Sequence, residues 1–539
     1  THAIDTALAG SAGVAVSAAS GAVLALGGSA TVGTDLSLTQ GTLELRGHAT
    51  VNGATTLAAG TLLRASNTTN ATVATLNGAA SSAVSLTGSA PKLTLNQAAD
   101  GTFAGLLSGA ADARLIKSGS GTLTLNGTAS PFLGQASISD GTLALQSATI
   151  PAAVAVGAAG TLSVAAPVTN GLTGFYYSVA PNTNNFWTLA GMEAHFATLT
   201  PTLASLSGLQ NTAFDFGTAG ALFPQPYGAG GSRTTQFEAA FRGTITVPES
   251  GIYVFGAQGD DGFILAIDGQ TVLGRNAYVA GWLEGTVRLE AGRYDIVLGY
   301  FQLSGGYGLQ LRVKPPSATT AFLVPSTWLT PYTAFGTLTG DGAFAHAASN
   351  AASHIVQTGI SGYRGAFSGA AGSLLTKAGN ATLALDAAGA GSFDGDIEVQ
   401  GGTLALAASG RLGDASTLRV RGGATLSFMG QETVGALAGN GTLALGDYVY
   451  NTPFTGDADC GVSSAKTYTH LVDFPIGTYA PVINGVTFGN TGAWSFSGIV
   501  PTYNWNDAPN DATRTGIDSL LRDFTYFSTN FTLTLSGLT

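Results

Sequence analysis

The tripeptide Gly-Thr-Leu begins at residues 41, 60, 121, 141, 160, 336, 402 and 441 of this chain. Looser forms fill the gaps: Gly21-Ala22-Val23, Gly101-Thr102-Phe103, Ala381-Thr382-Leu383 and Ala424-Thr425-Leu426. Up to residue 160 the starts read 21, 41, 60, about 81, 101, 121, 141 and 160, a period near 20 residues held for about seven turns. Short alternating runs follow most starts, such as Thr122-Leu123-Thr124-Leu125 and Thr403-Leu404-Ala405-Leu406. Alternation marks a strand with one buried face. A strand that returns every 20 residues with Gly or Asn-Gly at its edge predicts a chain coiled so that each turn stacks on the last. Eight such coils at one inter-strand spacing each make a rod of roughly 40 Å. An open antiparallel sandwich of regular hairpins is the alternative, and the even spacing favours the solenoid.

Composition supports this reading and excludes others. Only 9% of the 539 residues are charged while 77 are Gly, and the mean hydropathy is +0.28. A disordered acidic tail would be rich in charge and poor in apolar residues. A helical protein would not be dominated by Gly, Thr, Ser and β-branched residues. No apolar run approaches the roughly 20 residues of a transmembrane helix. The formal net charge of −11 leaves no basic stripe for nucleic acid. Cys460 is the single cysteine, so no intrachain disulfide forms, as suits an exported bacterial chain. The start THAIDTALAG has neither initiator Met nor signal-peptide pattern and reads as a mature or excised segment.

The segment Leu115-Ile116-Lys117-Ser118-Gly119-Ser120-Gly121-Thr122-Leu123-Thr124-Leu125, closed by Ile138-Ser139-Asp140-Gly141-Thr142-Leu143-Ala144-Leu145, resembles the passenger-associated transport (autotransporter-associated β-strand) repeat. A second copy runs from Leu375-Thr376-Lys377-Ala378-Gly379-Asn380 to Gly402-Thr403-Leu404. The resemblance implies β-helical segments of large exported or surface-displayed bacterial proteins and carries no catalysis. Lys117 and Lys377 occur once per copy and read as register residues.

Between about residues 171 and 331 the Gly-Thr-Leu phase disappears, and aromatic and charged residues concentrate there. An insertion that leaves the array intact on both sides belongs at a coil's loop, with its two ends close together. Gly171-Leu172-Thr173-Gly174-Phe175-Tyr176-Tyr177, Gly259-Asp260-Asp261-Gly262-Phe263 with Ile267-Asp268-Gly269, and Gly292-Arg293-Tyr294-Asp295 look like the protective-antigen-type β-sandwich module of flocculins and adhesins. In lectin members of that family a cis-linked Asp pair holds calcium, which in turn holds sugar hydroxyls. Carried to this chain, Asp260 and Asp261 are the implied calcium ligands. Asn276 is the candidate third ligand, and Tyr278 and Trp282 are candidate sugar-stacking residues. Many family members keep the Asp-Asp-Gly turn without binding sugar, and there the pair serves the turn alone. Asp268-Gly269 reads as a type I′ hairpin turn.

The expected fold is thus all-β: a right-handed parallel β-helix (1–170), an inserted β-sandwich (171–331), the β-helix continued (332–447), and a C-terminal jelly-roll-like segment (448–539). That last segment ends on Phe531-Thr532-Leu533-Thr534-Leu535 and reads as incomplete, so an open strand edge makes head-to-tail self-assembly a live alternative. The Asn-X-Thr sequences at Asn67, Asn70, Asn126 and Asn440 read as turn chemistry rather than glycosylation. The favoured function is a non-catalytic extracellular scaffold or adhesin at the bacterial cell surface, with glycans or neighbouring surface proteins as partners and a calcium ion as cofactor. A filament or surface-layer subunit with a purely structural insert is the rival. A solenoid polysaccharide-degrading enzyme is disfavoured, since its coils would carry clustered Asp, Lys and Arg on one face. The six His residues are scattered, and Glu193-Ala194-His195 is no metal motif.

Overall fold

The computed structural model describes residues 2–445 apart from short stretches (6–12, 20, 69, 127–131, 151, 168–169, 182, 197, 200–202, 208–212, 218–222, 225, 228–229, 279–280, 332, 387–391, 408 and 430–431), and beyond 445 only the strands Val482–Ile483, Val486–Thr487, Trp494–Ser497 and Phe531–Leu535. The protein is nearly all β, 57% strand and 4% helix. The chain divides into two compact units, one of residues 1–356 with 368–375, the other of residues 357–367 with 376–539.

In the first unit the repeats form parallel ladders, as a β-helix requires. One coil contributes three strands, for instance Ala83–Thr87, Lys92–Asn96 and Gly101–Phe103. The next coil lays Leu106–Gly109, Arg114–Ser118 and Thr122–Asn126 upon them, pairing Val84 with Leu107, Leu93 with Leu115 and Phe103 with Leu125. Alternate Leu and Val side chains point inward and are fully buried, while Thr and Ser face out. Parallel pairing rules out the open antiparallel sandwich.

The repeat period is less even than the tripeptide suggests. Thr425 pairs with Thr442 and Gly78 with Phe103, so a coil takes between 17 and 25 residues. The starts at 41 and 60 open the first strand of a coil, whereas those at 121, 141 and 160 lie on the third. Thr122, Thr142 and Thr161 stack in register, but Gly101 pairs with Leu123 rather than with Gly121. Two ladders therefore carry the same tripeptide. The apparent single phase arises because a left-handed Gly followed by a β-branched residue starts a strand equally well on either face (Gly41 and Gly141 have φ of 82° and 63°).

The insertion leaves the ladder intact. Ile150 pairs with Phe335, Val154 with Leu338 and Leu162 with Phe344, so coils far apart in sequence stack as neighbours. Gly171 N–H donates to the Leu329 carbonyl at 2.9 Å, which joins the two ends of the insert.

The insert is a two-sheet sandwich with strands β1 (Leu172–Tyr177), β2 (Leu203–Ser207), β3 (Phe237–Val247), β4 (Gly251–Asp260), β5 (Gly262–Ile267), β6 (Gln270–Arg275), β7 (Leu283–Leu289), β8 (Gly292–Gln302), β9 (Gly308–Lys314), β10 (Phe322–Leu323) and β11 (Leu329–Thr330), and a helix α1 (Leu189–Phe196). One antiparallel sheet has the order β2-β1-β3-β8-β5-β6, with β11 also on β3; the other is β7-β4-β9-β10. Aromatics fill the space between the sheets, among them Tyr176, Phe241, Phe263 and Tyr300. A second cluster under α1, with Phe186, Met192, Phe196 and Phe301, covers the outer face of the larger sheet. Asp268 and Gly269 join β5 to β6 with φ of 57° and 68°, the two positive values of a type I′ turn.

The sandwich is tied to the coil it interrupts. Arg242 on β3 makes a two-pronged pair with Glu193 of α1, both contacts 2.6 Å, and the buried His354 of the coil lies within their field. Arg293 at the start of β8 reaches the carbonyls of Ser349 and Ala351, each at 3.4 Å.

In the second unit the same ladder runs through Ser361–Tyr363, Thr382–Leu385, Thr403–Leu406, Thr425–Phe428 and Thr442–Leu445. The outer edge of Thr442–Leu445 is paired antiparallel by Phe531–Leu535, so that strand presents no free edge there. The jelly-roll expectation and Cys460 otherwise lie outside the described residues.

Lys117 and Lys377 are interior residues, 2% and 0% exposed. The Lys117 ammonium donates to the carbonyls of Ser118, Gly119 and Asp140 at 3.2, 2.7 and 2.9 Å. That of Lys377 donates to Gly379, Ala381 and Gly401 at 3.1, 2.5 and 2.5 Å. Each lysine thus ties its own turn to the following coil, and burial pushes Lys377 down to about 8. Asx side chains tie coils on the outside: Asp35 accepts Ala54 N–H, Asp100 accepts Thr122 N–H and Asn70 accepts the Thr94 hydroxyl.

Candidate functional site

The strand order brings the Asp-Asp-Gly turn to the end of the sandwich opposite the solenoid junction. β4 ends at Asp260 and β5 starts at Gly262, and Gly262 pairs with Phe301 at the far end of β8 from Arg293. From Arg293 to Gln302 the strand spans roughly 30 Å. A ligand bound at this turn is therefore held away from the stalk.

The Asp260–Asp261 peptide bond is cis. The Tyr300 hydroxyl shares its one proton between the Asp260 carbonyl and Gln302 Oε1, the latter at 3.1 Å. Gln302 Nε2 in turn donates to the Gly306 carbonyl at 2.7 Å. Asp261 Oδ2 accepts the N–H groups of Leu303 at 2.7 Å and Ser304 at 3.4 Å, which holds the 303–307 loop over the turn. Close packing fixes the glycines: a Cβ on Gly262 would meet the Phe301 ring at 2.2 Å, and one on Gly306 would meet Asp260 Oδ2 at 2.7 Å. Burial, and then the charge of Asp261, push the Asp260 carboxyl above the ordinary carboxylate range. Burial above all pushes the Tyr300 phenol well up, so it stays a proton donor.

The structure gathers the other candidates at the same end, in the loop between β6 and β7. Phe263 pairs with Arg275, so Asn276 follows beside Gly262. Tyr278 is 57% exposed. Trp282 precedes Leu283, which pairs with Ala257 of β4, and one face of its ring is taken by the Arg312 guanidinium, 4.4 Å from the centroid. Arg312 also pairs with Glu284. Among the described residues, the hydrogen bonds that organise the Asp pair come from Tyr300, Leu303 and Ser304, not from Asn276, Tyr278 or Trp282.

Calcium takes six to eight oxygens at about 2.3–2.6 Å, from carboxylates, carbonyls and neutral ligands alike. Among the described residues no group of three or more His, Cys, Asp or Glu converges on one point. Two adjacent carboxylates, whose mutual repulsion a cation would relieve, fit a hard cation whose remaining oxygens come from backbone, amide side chains and ligand. The donor set suits calcium and not a soft metal.

Residues 229–322 match the PA14 domain. The insert is a PA14 domain. Residues 40–63, 115–145 and 375–406 match the passenger-associated-transport-repeat. Similar solved structures include the PA14 domain of the MpAFP antifreeze protein (20% identity over 30% of this chain and 90% of that one, TM-score 0.24). A PA14 sugar-binding domain from an RTX adhesin shows 19% identity over 30% and 99%, TM-score 0.25. The epithelial adhesin 6 A domain of Candida glabrata, solved with Galβ1-3GlcNAc, shows 18% over 31% and 88%, TM-score 0.23. The chain spans about half the length, 48% and 47%, of two anti-sigma factor domain-containing proteins that it also matches. No curated protein sequence matches the chain.

Several parts of the PA14 site escape a reading of the sequence. Tyr300 and Gln302 sit in a strand that reads as pure core, and their roles appear only when β8 lies beside the turn. Leu303-Ser304-Gly305-Gly306-Tyr307 carries a turn signal in its two glycines, but nothing in it points to Asp261. Asp215, which accepts from Gly217 N–H at 2.6 Å and Gln310 Nε2 at 2.9 Å, likewise reads as ordinary loop. His195 and Glu193 bind Glu238 and Arg242 respectively, and hold α1 to the sheet.

Proposed function

We propose that this chain is the scaffold-and-binding part of a bacterial surface adhesin. In this reading the β-helix is a non-catalytic stalk, and its PA14 domain binds a glycan through a calcium ion held by Asp260 and Asp261. The observation that carries the reading is the placement of the two carboxylates at the free end of the sandwich, with Asp261 Oδ2 already occupied in ordering the 303–304 loop. That division leaves the Asp260 carboxylate and the second oxygen of Asp261 for a cation. A cation there would in turn face sugar hydroxyls, with Asn276 and Tyr278 on the adjacent loop to complete and flank it. The parallel coils, with buried lysines spent on backbone carbonyls, fit a rod whose polar groups are used up in structure. Passenger-associated repeats of this kind support an extracellular, cell-surface location.

The test is calcium titration of the intact chain by calorimetry, followed by a glycan array with and without chelator. Calcium binding and calcium-dependent glycan signals, both lost in Asp260→Asn, support the reading. Heat-silent calcium titration together with a blank array in the wild type refutes it and favours a structural insert.

A further inference from the structure

Two arginines flank the Asp pair in a chain that carries only 20 Lys and Arg against 31 Asp and Glu. Arg275 ends the edge strand β6. It pairs across the sheet with Phe263, two residues from Asp261, and its carbonyl lies 2.7 Å from where a Cβ on Gly262 would stand. Its side chain is exposed. Arg233 stands on the other side, linked to the turn through a relay. Its Nη1 donates to the Gln236 carbonyl at 2.9 Å, Gln236 Nε2 donates to the Leu303 carbonyl at 3.0 Å, and Leu303 N–H donates to Asp261.

Several arginines elsewhere in the described structure are matched by carboxylates: Arg46 by Glu44, Arg242 by Glu193, Arg312 by Glu284 and Arg421 by Glu398. Among the described residues neither Arg275 nor Arg233 has a carboxylate within ion-pair distance. Arg233 spends a donor on a backbone carbonyl, whereas Arg275 extends into solvent at the rim of the candidate site.

We infer that the saccharide taken at the Asp260–Asp261 end carries an acidic group, a carboxylate or a sulfate, and that Arg275 reads it. The inference rests on the calcium–glycan reading above and specifies its ligand class. A planar guanidinium binds a carboxylate or sulfate with two parallel charge-assisted hydrogen bonds, which a neutral hydroxyl cannot return. On a molecule with net charge −11, an exposed arginine with no carboxylate partner beside the turn offsets the repulsion an acidic ligand meets there. Calcium would take vicinal hydroxyls while Arg275 takes the acid, so the two contacts fix both position and orientation. Arg275→Lys keeps the charge and loses the fork.

The experiment compares, in the intact chain with calcium, an oligosaccharide bearing glucuronic acid with its carboxyl-reduced counterpart, and a sulfated oligosaccharide with its desulfated form. The two pairs separate carboxylate from sulfate as the acid recognised. One charge-assisted contact predicts an acidic-over-neutral preference of about tenfold in the wild type. The ratio falls to about one in Arg275→Gln and recovers in part in Arg275→Lys, with calcium affinity measured alongside to show that the site is folded. Equal binding of acidic and neutral partners by the wild type overturns the inference and leaves the calcium–glycan reading standing. So does a preference that survives Arg275→Gln. Failure to bind any of the four saccharides overturns both.

Discussion

Replacing Lys377 by methionine tests whether a buried ammonium holds neighbouring coils together. The side chain is fully buried, and its three acceptors belong to its own turn (Gly379, Ala381) and to the next coil (Gly401). Methionine preserves the length and the packing but leaves the Gly379 and Gly401 carbonyls unpaired, at about 1–3 kcal/mol each, while the Ala381 carbonyl keeps the Thr403 N–H. Against this stands the cost of burying the ammonium. Burial lowers the group from 10.5 to about 8, which at 1.36 kcal/mol per unit amounts to about 3 kcal/mol that the substitution relieves. The balance is a net loss of about 1 kcal/mol. Coils in such arrays open locally, so the assay is amide hydrogen exchange at Thr382–Leu385 and Thr403–Leu406, the strands on either side of the tie. Protection there is expected to fall by about fivefold, with a smaller change in Lys377→Arg. Unchanged or increased protection in Lys377→Met would show that the ammonium is tolerated rather than used, and the argument fails.

Gly402→Ala attacks the same tie from the other side. Its φ of 58° and a Cβ 2.5 Å from the Ala381 carbonyl and 2.7 Å from Lys377 Nζ predict a loss of about 2 kcal/mol, read as a lower urea midpoint for the second unit; an unaltered midpoint counts against it. Asp261→Ala removes the acceptor for Leu303 and Ser304, so those two amides exchange faster, whereas in Asp260→Asn they stay protected; equal effects of the two changes would contradict the division of labour at the turn. The buried His346 and His354 are pushed down to about 3 and about 4, by burial first and by Arg293 and Arg242 second. Their folded values lie below the unfolded 6.5, so above pH 6.5 they contribute nothing, and between pH 6.5 and 4 only the unfolded chain takes up protons. Over that window stability falls by up to about 3 kcal/mol for each histidine, and for His346 the loss continues toward pH 3. Thermal midpoints from pH 7 to 4 should drop, and drop less in a His346→Gln/His354→Gln variant; parallel curves for the two proteins would sink this account.

The recurring Gly-Thr-Leu and its alternating followers suffice to specify strands with one buried face, many times over, in a chain too poor in charge and in helix formers for anything but β-structure. The break in that pattern locates the insert, and Asp260-Asp261-Gly262 marks its candidate site, because turn chemistry and side-chain periodicity are local properties. The sequence left the register open. Both Gly121 and Gly101 start strands, yet which residue stacks on which depends on how many residues each corner absorbs, and only the assembled ladder, with coils of 17 to 25 residues, decides it. The lysines at 117 and 377 read as register marks, but for each one carbonyl partner, Asp140 or Gly401, lies a whole coil away in sequence. The same holds at the PA14 turn. Its aspartates are visible at once, while Tyr300, Leu303 and Arg275 become parts of the site only when β8 and β6 lie beside β5, since contacts across a sheet join residues that no local pattern connects.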